Sequence, residues 1–163
     1  MTQELLDQTA RQCASLLGES QHKLVFAESC TSGLLAATIS KVPGISQNFC
    51  GSFVTYRESL KIDSLGVQAE TLSQFTAVNA QTSTEMLAGA LQRCTESTVG
   101  LAITGHLGPN APSELDGQIF IACGTSDDSQ VVNVKLQSQN RQDRQIEAAI
   151  AALQQLNSVL AKN

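Results

Sequence analysis

The feature that most constrains the fold is a short apolar run, which passes directly into a polar turn and then into a helical pattern. Residues 23–27 read Lys-Leu-Val-Phe-Ala, which is typical of a buried strand. Hydroxyl-bearing residues follow at positions 29, 31 and 32, and apolar residues then recur at helical spacing from Thr31 to Lys41, before a Pro-Gly loop signal. The chain is therefore expected to contain a strand–turn–helix unit, and the end of such a strand is where open α/β sheets bind ligands.

The rest of the chain continues this mixture of strands and helices. Further helices are predicted over residues 4–18, 59–65, 70–75, 81–94 and 143–160. Further strands are predicted over residues 49–56, 98–103, 117–123 and 131–136. The pattern predicts an α/β fold, a three-layer sandwich whose mixed sheet is covered by helices on both faces. The length of 163 residues, 42% of them hydrophobic, predicts one domain over residues 1–163.

Charge and composition exclude several classes of partner. The formal net charge is −5 and no Lys/Arg cluster is present, which argues against binding nucleic acid or an anionic membrane surface. No apolar run approaches the roughly 20 residues that span a bilayer, and the acidic, amphipathic start does not resemble a signal peptide. We therefore expect a cytoplasmic protein.

The cysteines and histidines do not form a recognisable metal or disulfide pattern. Five cysteines are spread along the chain without a Cys-x-x-Cys pair. His22 and His106, the two histidines, lie far apart in the sequence. A disulfide framework and a zinc site are both poorly supported, and no metal ligands are predicted.

Two strand ends carry hydroxyl groups and glycine, at residues 26–33 and 102–109. At the first, free backbone N–H groups and the helix dipole are expected to favour an anion or a developing oxyanion, with Ser29 at the helix start. Alternatively, Ser29 or Thr31 is an ordinary helix N-cap. Cys30 is a rival nucleophile, because helix N-termini lower thiol pKa values, or else a small buried apolar residue.

A second cluster follows the strand predicted over residues 49–56. Lys61 is a candidate general base if burial or nearby positive charge lowers its pKa toward neutrality. Tyr56 would then orient Lys61 or the substrate. The alternative is that Arg57 and Lys61 only solvate a short helix together with Glu58.

Five motifs occur in order along the chain. They are Ala-Glu-Ser-Cys-Thr-x-Gly, Val-Pro-Gly-x-Ser, Val-Thr-Tyr-x-x-x-x-Lys, Leu-Gly-Val and Thr-Gly-x-x-Gly-Pro. This series resembles the C-terminal domain of the competence/damage-inducible CinA family, from the first helix to the last. The family includes nicotinamide mononucleotide deamidases. The resemblance implies a single CinA C-terminal-like domain that hydrolyses nicotinamide mononucleotide to nicotinic acid mononucleotide and ammonia, without cofactor, and a homodimer.

The resemblance also implies roles for individual residues. Ser29 matches the nucleophile, Lys61 its proton partner and Tyr56 a catalytic helper. Arg141 matches an arginine suited to the charged end of the ligand. The positions that match residues of the substrate pocket are Thr31, Ser32, Gly33, Ser46, Thr104 and Gly105.

The chain departs from the family pattern at several positions near these motifs. Ser32 stands where a glycine is usual, Glu58 replaces an asparagine, and the loop 109–116 is shorter than expected. His106 is either a surface residue or an added pocket group. These departures motivate two alternatives: a weak or inactive paralogue that binds a nucleotide or a protein partner, and an amidase for another substrate.

Overall fold

The computed structural model describes residues 2–109 and 111–162. The helices of this described part are α1 (Gln3–Ser20), α2 (Leu34–Ile39), α3 (Glu58–Leu65), α4 (Ala69–Phe75), α5 (Ala80–Arg93) and α6 (Arg141–Leu160). The strands are β1 (Leu24–Glu28), β2 (Phe49–Val54), β3 (Val99–Gly105), β4 (Gln118–Gly124) and β5 (Ser129–Lys135). A short 3₁₀ turn, Ile45–Gln47, precedes β2. Each predicted strand and helix is present, with ends that differ by a few residues.

The five strands form one mixed sheet in the order β2-β1-β3-β4-β5. β1 runs parallel to β2 and β3, whereas β4 is antiparallel to β3 and β5. Every residue of β1 is buried, because this strand lies inside the sheet with both faces covered. The predicted mixed sheet is therefore confirmed.

Helices cover both faces of this sheet and create two apolar cores. On one face, Phe26 and Leu101 pack with residues of α1, α2 and α6, including Leu153. On the other face, Val25 and Ala102 pack with α5. The helices α3 and α4 contact α5, and the end of α3 also joins this second core. This arrangement confirms the predicted α/β sandwich with helices on both faces.

Two helix ends differ from the sequence prediction for local reasons. α1 continues through Gly18 and ends where Gln21 adopts a left-handed conformation, with φ of 57°. α2 begins only at Leu34, after a turn in which Ser32 also has positive φ, at 53°. Since a left-handed residue interrupts the helical path, the helix predicted from Thr31 is shorter than expected.

None of the helices in residues 2–109 and 111–162 combines the length and apolar character that crossing a bilayer requires.

The close contact between α5 and the end of α3 depends on Gly89. A β-carbon at Gly89 would lie 1.9 Å from the carbonyl oxygen of Leu65 and 2.7 Å from its carbonyl carbon. We expect Gly89→Ala to lower the free energy of unfolding by about 2–3 kcal/mol, because backbone clashes outweigh the better helix propensity of alanine. Urea unfolding of the variant measures this loss.

A matched control for Gly89→Ala is available in α1. Gly18 is helical and exposed, and a β-carbon there would meet nothing within 4 Å. Gly18→Ala should therefore raise the free energy of unfolding by about 0.5–1 kcal/mol. Equal effects of the two substitutions would contradict the proposed helix contact.

Candidate active site

The two strand ends singled out in the sequence lie side by side. β1 and β3 are parallel neighbours in which Glu28 is paired with Ile103. The backbone N–H of Ser29 donates a hydrogen bond to the carbonyl oxygen of Ile103, at 3.1 Å. The carboxyl edge of the sheet thus brings Ser29 next to the segment that begins at Thr104, as expected for a ligand site in an open α/β sheet.

Ser29 and Lys61 form a buried hydrogen-bonded pair. The Lys61 ammonium donates to Ser29 Oγ at 2.8 Å and to the carbonyl oxygen of Thr55 at 2.6 Å. Lys61 is 1% exposed and Ser29 is 8% exposed. Lys61 projects from α3 and is 32 residues from Ser29 along the chain, so the pair exists only in the folded protein.

Burial changes the protonation of Lys61. Removal of the ammonium from water lowers the pKa of Lys61 to about 8, whereas the negative charge of the nearby Glu58 acts in the opposite direction. None of the ion pairs among the described residues includes Lys61. A substantial fraction of Lys61 is therefore neutral at slightly alkaline pH and able to accept a proton from Ser29.

Cys30 does not have the properties of an activated thiol. Burial raises the pKa of its thiol to about 12, even though the positive charges of Lys61 and Arg141 oppose this change. Cys30 is a buried residue of the core on the α6 side of the sheet. Cys30 also lines the cavity in front of Lys61, so it is the raised pKa of its thiol that favours Ser29 as the nucleophile.

Glu28, which the sequence analysis did not single out, caps α2 from within the protein. Its carboxylate is fully buried. The carboxylate accepts hydrogen bonds from the hydroxyls of Thr31 and Ser52 and from the backbone N–H groups of Gly33, Leu35 and Ala36. A charged residue at the end of an apolar strand was the available sequence signal.

This cap corrects the expectation about the start of α2. The N–H groups that were expected to be free for an anion or an oxyanion are bonded to Glu28. Gly33 is the residue that precedes the helix, so neither Ser29 nor Thr31 is its N-cap. Ser29 lies five residues before the first helical residue and is held by Lys61 instead.

A cavity of about 280 Å³ opens in front of the Ser29–Lys61 pair. Six of the predicted site residues line it, and these are Ser29, Tyr56, Lys61, Thr104, Gly105 and Arg141. Its apolar lining includes Ala77, Val78, Leu107 and Pro109. A larger groove of about 670 Å³ lies between α5 and the turn joining β4 to β5, but its lining holds no lysine, histidine or cysteine. The smaller cavity is therefore the candidate site.

Arg141 connects two sides of this cavity. As the first residue of α6, it donates hydrogen bonds to the Tyr56 hydroxyl at 2.8 Å and to the carbonyl oxygen of Gly108 at 2.5 Å. Tyr56 is 55% exposed, so the contact lies at the solvent side of the site. The guanidinium is well placed to meet an anionic group of a ligand at the opening.

The other predicted pocket residues lie outside the lining of this cavity. Thr31 is buried and donates its hydroxyl to Glu28, and Gly33 donates its backbone N–H to the same carboxylate. Ser32 is exposed in the turn, and Ser46 is exposed on the 3₁₀ turn before β2. Thr31 and Gly33 therefore differ from their expected positions because their polar groups are bonded to Glu28, and the exposed Ser32 and Ser46 are not part of the cavity lining.

Thr104 lines the cavity, although its hydroxyl already donates a hydrogen bond within the protein. It donates to the carbonyl oxygen of Ala77 at 2.7 Å and so fixes the loop after α4. His106 also lines the cavity, which favours the pocket interpretation of this residue over a surface one. Glu58 is exposed at the start of α3 and does not line the cavity.

Within residues 2–109 and 111–162, no three His, Cys, Asp or Glu side chains come together in a way that could hold a metal ion.

Comparisons with known proteins agree with the sequence resemblance. A family model described as the CinA C-terminal domain matches residues 6–160. A CinA-like protein from Fusobacterium nucleatum is 33% identical over 159 residues, which cover 96% of this chain and 38% of that protein. A putative competence-damage inducible protein from Acetivibrio thermocellus is 34% identical over 125 residues, covering 76% of this chain and 30% of that protein. The chain thus spans less than two fifths of these curated relatives.

Solved structures resemble the chain over almost their whole length. The competence/damage inducible protein CihA from Agrobacterium tumefaciens superposes with a TM-score of 0.91 at 28% identity, and the match covers 98% of both chains. A CinA superfamily protein from Klebsiella pneumoniae has the same fold, with a TM-score of 0.91 at 24% identity and coverage of 97% and 99%. These structures have the same fold, and the family model over residues 6–160 shows that the chain belongs to the CinA C-terminal domain family.

Proposed function

We propose that this protein is an amidohydrolase that converts nicotinamide mononucleotide to nicotinic acid mononucleotide and ammonia. The observation that carries the proposal is the buried hydrogen bond between Lys61 Nζ and Ser29 Oγ, at 2.8 Å. An amide is a poor electrophile, so its hydrolysis needs an activated nucleophile and a proton donor for the leaving amine. A serine hydroxyl beside a lysine of lowered pKa supplies both groups.

The reaction follows from the positions of these two side chains. Neutral Lys61 accepts the Ser29 proton as Ser29 Oγ attacks the carboxamide carbon. The protonated Lys61 then donates this proton to the amide nitrogen, the carbon–nitrogen bond breaks, and ammonia leaves an acyl ester on Ser29. Water next attacks the ester with Lys61 as base, which releases the carboxylic acid and regenerates Ser29.

The remaining lining of the cavity suits a phosphorylated pyridine ligand. Arg141 brings a guanidinium to the opening, and guanidinium groups bind phosphate through paired N–H donors. The Tyr56 hydroxyl is held beside this guanidinium. Ala77 and Val78 provide an apolar wall for a flat ring. The proposed pose therefore puts the carboxamide at Ser29 and the phosphate near Arg141.

The proposal is tested by ammonia release from three related carboxamides. Nicotinamide mononucleotide should be hydrolysed, while nicotinamide riboside, which lacks the phosphate, should show a kcat/KM at least about 100-fold lower, because a charge-assisted contact is lost. Nicotinamide alone should react more slowly still. Folded protein that releases no ammonia from the nucleotide would contradict the proposal. A preference for another carboxamide would show an amidase with a different substrate.

A second candidate function is a nucleotide-binding paralogue with little turnover. The observation that favours it is Glu58, whose charge raises the pKa of Lys61 against the effect of burial and so leaves less neutral amine at pH 7. Calorimetry distinguishes the two functions. Binding of the nucleotide without ammonia release would support the paralogue, whereas turnover that disappears in Ser29→Ala would exclude it.

The pH dependence of the reaction follows from Lys61. Since the neutral amine is the active form and its pKa is about 8, kcat/KM should rise about tenfold per pH unit below pH 8 and level off above it. Rates measured from pH 6 to pH 9.5 test this. Glu58→Gln should shift the midpoint to lower pH, because the Glu58 carboxylate favours the protonated amine. A profile that is flat across this range would contradict the role of Lys61.

Assembly as a homodimer stays a prediction from the family resemblance. The large apolar side chains found exposed among the described residues all lie between residues 54 and 75, and they are Val54, Tyr56, Leu60, Ile62 and Phe75. A second copy that covered this region would lie next to the opening at Tyr56.

A further inference from the structure

The carboxylate of Glu28 organises the turn that carries the nucleophile. One oxygen, Oε2, accepts hydrogen bonds from the Thr31 hydroxyl at 2.8 Å and from the N–H groups of Gly33 and Leu35, each at 3.0 Å. The other oxygen, Oε1, accepts from the Ala36 N–H at 3.0 Å. The chain after Ser29 is therefore wrapped around a single buried carboxylate.

The same residue also reaches the strand that leads to Lys61. Glu28 Oε1 accepts a second hydrogen bond from the Ser52 hydroxyl of β2, at 2.9 Å. The backbone carbonyl of Glu28 accepts from the Thr55 N–H at 2.8 Å, and the Thr55 carbonyl in turn accepts from Lys61 Nζ. The backbone of Glu28 thus contacts the segment next to Lys61, whereas four of the five donors to its carboxylate come from the chain that follows Ser29.

A fully buried carboxylate is stable only when hydrogen bonds replace its lost hydration. Two hydroxyls and three backbone N–H groups provide this replacement. These donors restrict the movement of the turn, because a displacement of the turn would leave the carboxylate without some of its hydrogen bonds. None of the hydrogen bonds of Glu28 reaches Ser29 Oγ or Lys61 Nζ, so its effect on the reaction is indirect.

We propose that Glu28 is a positioning residue, which holds Ser29 Oγ in line with Lys61 Nζ by fixing the turn after β1. This inference rests on the proposed role of Ser29 as the nucleophile. The N-terminal end of α2 is occupied by the carboxylate of Glu28, so a negatively charged group of a ligand has to bind elsewhere in the cavity. The consequence is that the charge of Glu28 serves alignment and not substrate binding.

The test uses the full chain and a small serine-directed fluorophosphonate, which needs no nucleotide pocket. Ser29 Oγ attacks phosphorus, the phosphorus–fluorine bond breaks, fluoride leaves, and the Ser29 proton passes to Lys61. Glu28→Gln keeps the shape of the side chain but directs an NH₂ group at hydrogen-bond donors. We expect folded Glu28→Gln to be labelled about 10- to 100-fold more slowly, as for a small displacement of a reacting group.

A matched pair of variants separates positioning from general stability. Thr31→Val and Ser52→Ala each remove one hydroxyl donor from Glu28, but only Thr31 belongs to the turn that carries Ser29. Labelling should slow more in Thr31→Val than in Ser52→Ala, which we expect within about threefold of the wild type. Thermal unfolding of each variant identifies a temperature at which it is fully folded, so that stability does not enter the rates. If Glu28→Gln does not fold, this pair decides the question.

The outcomes distinguish this inference from the proposed function. Equal labelling of the wild type, Glu28→Gln and Thr31→Val would overturn the role of Glu28 alone. Absence of labelling at Ser29 in the wild type would overturn the nucleophile as well. Normal labelling without hydrolysis of nicotinamide mononucleotide would contradict the substrate and leave the positioning role supported by the variants.

Discussion

Replacing Ser29 with alanine is expected to reduce ammonia release from nicotinamide mononucleotide by at least about 1000-fold. The hydroxyl that the structure places 2.8 Å from Lys61 Nζ is lost, and no other activated nucleophile takes its place. The thiol of Cys30, the nearest rival, has its pKa raised to about 12 by burial. Initial rates with purified protein, together with a mass shift of the acyl-enzyme in the wild type only, provide the measurement.

Cys30→Ser is the control that decides between the two nucleophiles. Cys30 is buried and protonated, so this substitution should reduce the rate less than tenfold. The opposite result, with activity lost in Cys30→Ser and retained in Ser29→Ala, would assign the reaction to the thiol.

Replacing Lys61 with methionine is expected to change activity and stability in opposite directions. Hydrolysis should again fall by at least about 1000-fold, because Ser29 loses its proton acceptor. At pH 7 the free energy of unfolding should increase by about 1–2 kcal/mol. At this pH, burial of the protonated amine costs roughly 3 kcal/mol, because the pKa of Lys61 falls from its ordinary value of 10.5 to about 8. Methionine avoids this cost but loses the hydrogen bond to the Thr55 carbonyl, which offsets part of the gain in stability.

The stability effect has a defined dependence on pH. Below pH 8 the amine is protonated in both the folded and the unfolded chain, so the penalty is complete. Between pH 8 and about 10.5 the unfolded chain binds more protons than the folded one, so wild-type stability rises relative to Lys61→Met. Urea unfolding at pH 7 and pH 10 should therefore show a smaller difference at the higher pH.

An exposed lysine provides the comparison for this experiment. Lys41 has a side chain that is 61% exposed, and its contact with Asp7 is 3.9 Å long. Lys41→Met should change the free energy of unfolding by less than about 0.5 kcal/mol at either pH. A loss of stability in Lys61→Met at pH 7 would contradict the penalty attributed to the buried amine.

The order of strands and helices could be predicted from the sequence because it depends on local periodicity. The apolar run before Glu28 forms β1, and the helical pattern near the end of the chain forms α6. The predicted ends of helices were less accurate where the backbone conformation of a single residue decides the end. Ser32, with positive φ, delays the start of α2.

The chemistry of the candidate site was only partly visible in the sequence. The motifs named Ser29 and Lys61, and the structure brings these residues together. The first motif contains Glu28 but did not reveal its role, since a carboxylate at the end of a strand usually marks a surface position. Its burial depends on donors from the first turn of α2 and from β2, 24 residues away.

The sequence by itself determined the kinds of element, their order and the residue types available for the reaction, since these follow from side-chain pattern and motif. The tertiary structure alone decided which polar groups meet. It paired Lys61 with Ser29 in a buried environment, and burial lowers the pKa of that lysine. It also turned the start of α2 towards Glu28 and away from a ligand. These outcomes depend on solvent exclusion and on contacts between distant segments, which no local sequence pattern encodes.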